Sequence, residues 1–247
     1  MNLMILGIGT VGIRVSEKLR SHMPKARFIF VTSDGATIKK ADNQTLVVSY
    51  KQIERVYSAI KNTDPDSETN IVMIHSLTGL SGSSMSLEII RRINKMSSLN
   101  KIICISFLPV HIGNGPHAKK SIQEFLDYGV DIIHGFLFVD NHSLILNGFK
   151  DMEEINNKIA SLLIALFSDE NSLIDELFSD QDKLALVMIS DKPGASVTRK
   201  TRRALVSKNI TPSMGIRHGT LPDSVKSTIV VTGDCVYDVC LNYWTQN

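Results

Sequence analysis

The first residues able to do chemistry are Gly7-Ile8-Gly9-Thr10-Val11-Gly12, a G-x-G-x-x-G turn. They follow the apolar run Asn2 to Gly7 and precede Ile13 to His22, where Val15 and Leu19 stand four apart among Arg14, Glu17, Lys18 and Arg20. A glycine turn between a strand and a helix lets backbone N–H groups meet a phosphate at the positive end of the helix. If the phosphate belonged to a dinucleotide, a carboxylate about 20 residues further on would hold the ribose. Asp34, just past the strand Arg27 to Thr32, stands there. An Asp in a turn bonded to its own backbone is the equal alternative. Nicotinamide oxidoreductases and several other nucleotide-binding folds share this turn, so it specifies phosphate and no single reaction.

Other constellations carry less. Among the seven histidines no H-E-x-x-H or similar ligand spacing occurs, and His75 and His134, inside apolar runs, are expected to be hydrogen-bonded core groups. Cys104, Cys235 and Cys240 are an odd set in a long chain, which fits a reducing compartment. Cys235 and Cys240 lack the second pair that an all-thiolate metal cage needs, so no metal site is expected. Arg199, Lys200, Arg202, Arg203 and Lys208 form one basic cluster, read as a solvated helix face. There is no G-x-S-x-G elbow and no P-loop.

These residues must be held by a folded core. The chain of 247 residues is 43% hydrophobic and 21% charged, and 27 basic against 25 acidic residues leave a net charge of +2. That excludes disorder and coiled coil, and supplies no bulk field for nucleic acid. The apolar stretches Ile102 to Val110 and Ile159 to Phe167 are far shorter than the roughly 20 residues of a membrane span. With no basic leader pattern at the start, a cytoplasmic protein is expected.

Apolar runs predict strands at Asn2 to Gly7, Arg27 to Thr32, Leu46 to Ser49, Asn70 to His75, Lys101 to Phe107 and Asp131 to Val139. Helices are predicted at Ile13 to His22, Lys51 to Lys61, about Ser83 to Met96 and about Lys119 to Tyr128. Continuous apolar strands alternating with helices mean a parallel sheet covered on both faces, an α/β Rossmann-like architecture. Ile155, Ile159, Leu162, Leu163 and Leu166 then keep helical spacing across Asp151 to Phe167, behind an acidic first turn, and predict a long buried connecting helix. Strands at Leu184 to Ile189, Met214 to Leu221 and Thr228 to Thr232, with a helix from about Ala195 to Lys208, predict a small α+β C-terminal domain.

Several segments, in order, resemble the FtsZ and tubulin superfamily. Thr32-Ser33-Asp34-Gly35-Ala36 with Ile38 resembles its N-T-D-A-Q-x-L loop, and Ser76-Leu77-Thr78-Gly79-Leu80-Ser81-Gly82 sits at its G-G-G-T-G-[ST]-G turn. Phe107-Leu108-Pro109 resembles T-K-P-F, and Val130 to Ile145 resembles V-D-x-x-I-x-x-P-N-D-x-L-L. Gly148-Phe149 with Glu153 resembles the A-F-x-x-A-D opening of the central helix. Asp175 to Asp180 falls on N-x-D-F-A-D, and Ser227 to Gly233 resembles V-T-V-I-A-T-G.

The resemblance implies a GTPase-type domain over residues 1–150, a central helix and loop over 151–180, and a reduced C-terminal domain over 181–247. It implies GTP or GDP as ligand, with Mg a further candidate. Gly7, Gly9, Thr10, Gly12, Arg14, Asp34, Gly79, Ser81 and Gly82 fall at its nucleotide-binding positions, and Asn141, Phe149 and Glu153 on its base side. A carboxylate such as Glu153 can accept both the N1–H and N2–H of guanine, which adenine cannot donate. Equally, each of these three types is ordinary at a helix start or turn.

The pattern is also worn. Leu77 and Leu80 bring apolar side chains into a turn the family keeps bare, and the G-A-G-x-x-P loop is missing after Val48. Asp180 keeps the second of two acids that position the attacking water in a neighbouring subunit, while Leu177 replaces the first, so hydrolysis is expected to be slow or absent. The implied role is a cytoskeletal or division-related protein that self-associates head to tail. The alternative is a scaffold or regulator that binds no nucleotide and partners a filament-forming relative. A minor alternative, from the glycine turn and Asp34, is an NAD(P)-dependent oxidoreductase.

Overall fold

The computed structural model describes residues 2–32, 45–61, 69–77, 80–96, 100–107, 124–125, 132–139, 151–168, 185–190 and 227–232. Eight strands form one sheet: β1 (Asn2–Ile8), β2 (Arg27–Thr32), β3 (Thr45–Ser49), β4 (Thr69–Ser76), β5 (Lys101–Phe107), β6 (Gly135–Val139), β7 (Ala185–Ser190) and β8 (Ser227–Thr232). Their order is β3-β2-β1-β4-β5-β6-β7-β8. All neighbours are parallel except β7 and β8, which are antiparallel. The described helices are α1 (Gly9–Arg20), α2 (Glu54–Lys61), α3 (Leu80–Met96) and α4 (Met152–Ser168).

The strands are apolar on both sides because both sides are covered. Met4, Leu6, Ile8, Ile71, Met73 and Cys104 pack with Val56 and Ile60 of α2 and Ile89, Ile90 and Ile93 of α3. Alternate residues of the same strands, among them Ile5, Phe30, Val72, Ile74 and Ile105, pack with Val15 and Leu19 of α1 and Ile155, Ile159 and Leu163 of α4. This is the period-two alternation of a strand, with each face meeting its own helix layer.

α4 starts one residue after the predicted Asp151 and carries the predicted acidic first turn, with Asp151 itself as a cap. The Asp151 carboxylate accepts the Glu154 N–H at 2.8 Å, and Glu153 and Glu154 place negative charge on the positive end of the helix. It runs alongside α1, where the Lys18 ammonium donates to the Asn157 side-chain oxygen.

Four placements differ from the sequence reading. α1 begins at Gly9, four residues earlier than the periodicity suggests, so Gly9 to Gly12 of the glycine turn form the first turn of the helix while Gly7 and Ile8 end β1. α3 begins at Leu80, which puts Ser81 and Gly82 inside its first turn instead of ahead of it. A short 3-10 turn, Tyr50–Gln52, precedes α2 in place of one continuous helix. β6 begins at Gly135; His134 just before it donates its N–H to the Ile102 oxygen at 2.8 Å, while the Ile102 N–H is taken by the His134 side chain, Nδ1 at 3.2 Å, in place of a strand carbonyl.

β7 and β8 continue the sheet beyond β6. The strand predicted at Met214 to Leu221, the helix from Ala195 to Lys208 and most of the helix from Lys119 to Tyr128 lie outside the described residues. Among the described residues, no helix is long and apolar enough to cross a membrane.

Candidate functional site

The strand order reverses between β1 and β4. Connections from β1 lead outward to β2 and β3, and those from β4 lead the other way to β5 and β6. In open α/β sheets this reversal opens a crevice beyond the carboxyl ends of the two strands. β1 and β4 end together there, with Ile8 beside His75. α1 leaves directly from the end of β1, and α3 starts shortly after β4. Two helix N-termini therefore flank one crevice.

The three glycines of the turn do three different things. Gly9 has φ 68°, the left-handed conformation that side chains other than glycine adopt at a cost. It lets the chain pass from β1 straight into α1. Gly12 lies against β4: a Cβ there would sit 3.0 Å from the Ile74 carbonyl carbon and nearer still to its oxygen. Gly7 lies against α1, since a Cβ would meet the Ser16 Oγ at 2.7 Å and the Gly12 oxygen at 2.8 Å. Ser16, buried, donates its hydroxyl to that same Gly12 oxygen at 2.7 Å. Two glycines are thus demanded by packing and one by backbone direction.

What remains is an anion-accepting surface. Ile8 offers no side-chain acceptor to the first turn of α1, and neither α1 nor α3 carries an acid in its first turn. Neither helix offsets its positive end with an acid in its own first turn. Thr10 and Arg14, four residues apart on α1, are both exposed and share one face, so Arg14 stands one turn beyond Thr10 on the side Thr10 presents. An Arg there can make charge-assisted bonds to phosphate oxygens.

Leu77 does not occupy the crevice as its sequence position suggests. Its side chain is fully buried in the α2/α3 layer, and its N–H donates to the Phe107 oxygen at 2.9 Å. That removes an apolar obstruction and also commits one backbone amide.

Of the residues singled out from sequence, Gly7, Gly9, Thr10, Gly12 and Arg14 lie on β1 and α1, and Ser81 and Gly82 on the first turn of α3, the two elements that meet at the reversal. Glu153 is exposed on the first turn of α4, which packs on the α1 side of the sheet. Asp34, Gly79, Asn141, Phe149 and Asp180 lie outside the described residues. Among the described residues no three His, Cys, Asp or Glu side chains form a metal-binding group.

The structure adds Ser16 and a pair at the strand ends. His75, fully buried, has its Nε2 2.8 Å from the Ser106 Oγ, and the Phe125 ring lies 4.8 Å from the imidazole. Two polar residues in register near the ends of the apolar runs 70–75 and 101–107 were the only sequence signal for this pair.

No protein-family profile and no curated protein matches the sequence. Solved structures match in fold. TubZ of Clostridium botulinum phage c-st is 12% identical over 99% of this chain and 97% of its own, with a TM-score of 0.60. CetZ2 of Haloferax volcanii, solved as a GTPγS-bound protofilament, is 17% identical over 83% of this chain and 73% of its own, with a TM-score of 0.56. FtsZ of M. jannaschii, solved as an empty dimer, is 14% identical over 83% and 68%, with a TM-score of 0.55. This chain spans 66% to 73% of the length of the CetZ and FtsZ structures it matches. These likenesses join the reversal of strand order and the glycine turn that opens on it: the chain has an FtsZ/tubulin-like fold.

Proposed function

We propose that the crevice between β1 and β4 binds a guanine nucleotide and that the chain self-associates head to tail, with weak or absent hydrolysis. The observation that carries this is the start of α1: a left-handed Gly9 delivers the chain into a helix whose first turn has no capping side chain and no acid, at the reversal of the sheet. Phosphates satisfy those amides, and Arg14 adds a guanidinium. Ser81 and Gly82 present the first turn of α3 to the same anion. Asp34, just past β2 in the chain, is a further nucleotide-binding candidate, and Asn141, Phe149 and Glu153 serve the base. Gly79 belongs to the phosphate turn ahead of α3. A Mg ion on the phosphates would spread their charge; no described cluster of side chains would hold it alone.

The GTPγS-bound protofilament of CetZ2 supports both halves of the reading, the nucleotide and the assembly. In this reading residues 1–150 are the nucleotide-binding unit, 151–180 the connecting helix and loop, and 181–247 the reduced C-terminal unit.

A second reading, a scaffold without nucleotide, is favoured by the packing of Gly7 and Gly12. Both glycines would be kept by the helix–sheet contact even in a chain that binds nothing. Denaturing the purified protein and identifying the released small molecules by chromatography separates the readings. GTP or GDP at near one per chain supports the first. Nothing released, with no uptake of added GTP or GDP, refutes it, and a released dinucleotide would restore the oxidoreductase alternative. Phosphate release from GTP that rises with protein concentration and is lost in Asp180→Ala would overturn the expectation of weak turnover.

A further inference from the structure

The last rung before the crevice is built differently from the rest of the core. On the α2/α3 face, β4 presents Ile71 and Met73 and β5 presents Ile102 and Cys104, all apolar and buried. Two residues further along each strand, in the same phase, come His75 and Ser106, side by side in register and hydrogen-bonded at 2.8 Å. Ile8, the residue before Gly9, lies in register with His75 on its other side. Phe125 covers the imidazole. One step further, the Leu77 N–H donates to the Phe107 oxygen.

A buried polar pair adds little net stability over apolar residues of the same size, because both groups lose water on folding. What it adds is direction, since a hydrogen bond has a required geometry and apolar packing does not. We infer that His75 and Ser106 are positioning residues: they fix the path by which β4 leaves the sheet, and so the place of the α3 N-terminus over the crevice. This rests on the reading that the crevice holds a nucleotide. Without the pair, β4 and β5 still pair through their backbones and Leu77 stays buried, but the segment that carries Ser81 and Gly82 loses its directional side-chain anchor at the strand end.

The test uses the full chain with GDP and GTP as probes, at a temperature where circular dichroism shows each variant folded. Ser106→Ala is expected to weaken nucleotide binding by about tenfold, through displacement of the α3 start and not through a lost contact to the ligand. Ser106→Thr, which keeps the hydroxyl, is expected to recover most of it. His75→Leu combined with Ser106→Ala is expected to be no worse than the weaker single variant, as for two groups acting as a unit.

Hydrogen exchange gives a readout independent of nucleotide. Amides of residues 76–82 should exchange faster in Ser106→Ala while those of β1 do not change. If Ser106→Ala lowers the melting temperature yet leaves both affinity and this exchange pattern unchanged, the pair is only structural and the inference fails. If the wild type binds no nucleotide, the functional reading fails, and the exchange pattern alone decides whether the pair positions the turn. Should Ser106→Ala not fold, Ser106→Cys, similar in size with a weaker donor, is read by the same measurements.

Discussion

Gly12→Ala tests whether the third glycine of the turn serves packing or ligand. Its Cβ would lie 3.0 Å from the Ile74 carbonyl carbon, closer still to the oxygen, and 3.3 Å from the Gly7 carbonyl carbon. Carbon atoms in comfortable contact stand about 3.5 to 4 Å apart, so α1 would have to lift by about 1 Å from β4 and β1. The obstructing atoms are backbone on both strands, and no side chain can rotate away. Overpacking of this kind costs about 3 kcal/mol, at the upper end of its usual range. Alanine in place of glycine inside a helix returns about 1 kcal/mol. The net loss is about 2 kcal/mol, or a fall of about 4 to 8 °C in melting temperature for a chain of this size. Thermal and urea unfolding of wild type and variant, without nucleotide, measure it. A melting temperature equal to or above wild type would refute the close contact of α1 with β4, and with it the assignment of Gly12 to packing.

Three further outcomes are expected. Arg14→Ala, at an exposed position, should leave urea unfolding unchanged within about 0.5 kcal/mol while weakening GTP binding by about tenfold; unchanged affinity would remove Arg14 from the phosphate site. Asp151→Ala removes the acceptor of the Glu154 N–H and should cost about 1 kcal/mol in urea unfolding, with Asp151→Asn close to wild type; an unaffected midpoint in the alanine variant would argue against the cap. Burial raises the Cys104 thiol well above its ordinary value by desolvating the thiolate. The folded value is the higher one, so the stabilisation is full below the unfolded thiol pKa of about 8.5 and is lost as pH rises through the folded value. Maleimide at pH 7.5 followed by peptide mapping should label Cys104 only in urea, and stability should fall more steeply from pH 8.5 to 10 in wild type than in Cys104→Val.

The sequence alone determined what depends on neighbours along the chain. The short, isoleucine-rich apolar runs at Ile71 to Ile74 and Ile102 to Ile105 read as strands buried on both faces by their length and their alternation with helical segments, and the spacing of Ile155, Ile159, Leu162, Leu163 and Leu166 reads as one side of a helix. The glycine spacing announced a strand–turn–helix junction in the same way.

Tertiary structure decided everything that depends on which segments meet. Gly12 touches Ile74 across 62 residues of chain and His75 finds Ser106 across 31, and Leu77 turns into the core instead of the crevice, all invisible to local pattern. Helix starts belong to the same class. Gly9, Ser81 and Gly82 look like turn residues in a linear reading, and they became first turns of helices because the sheet holds the strand ends in line with the helices that follow. Glycine and serine cost a helix little at its N-terminus, where the amides have no partner within the helix. Propensity therefore left the boundary open, and packing against the sheet closed it.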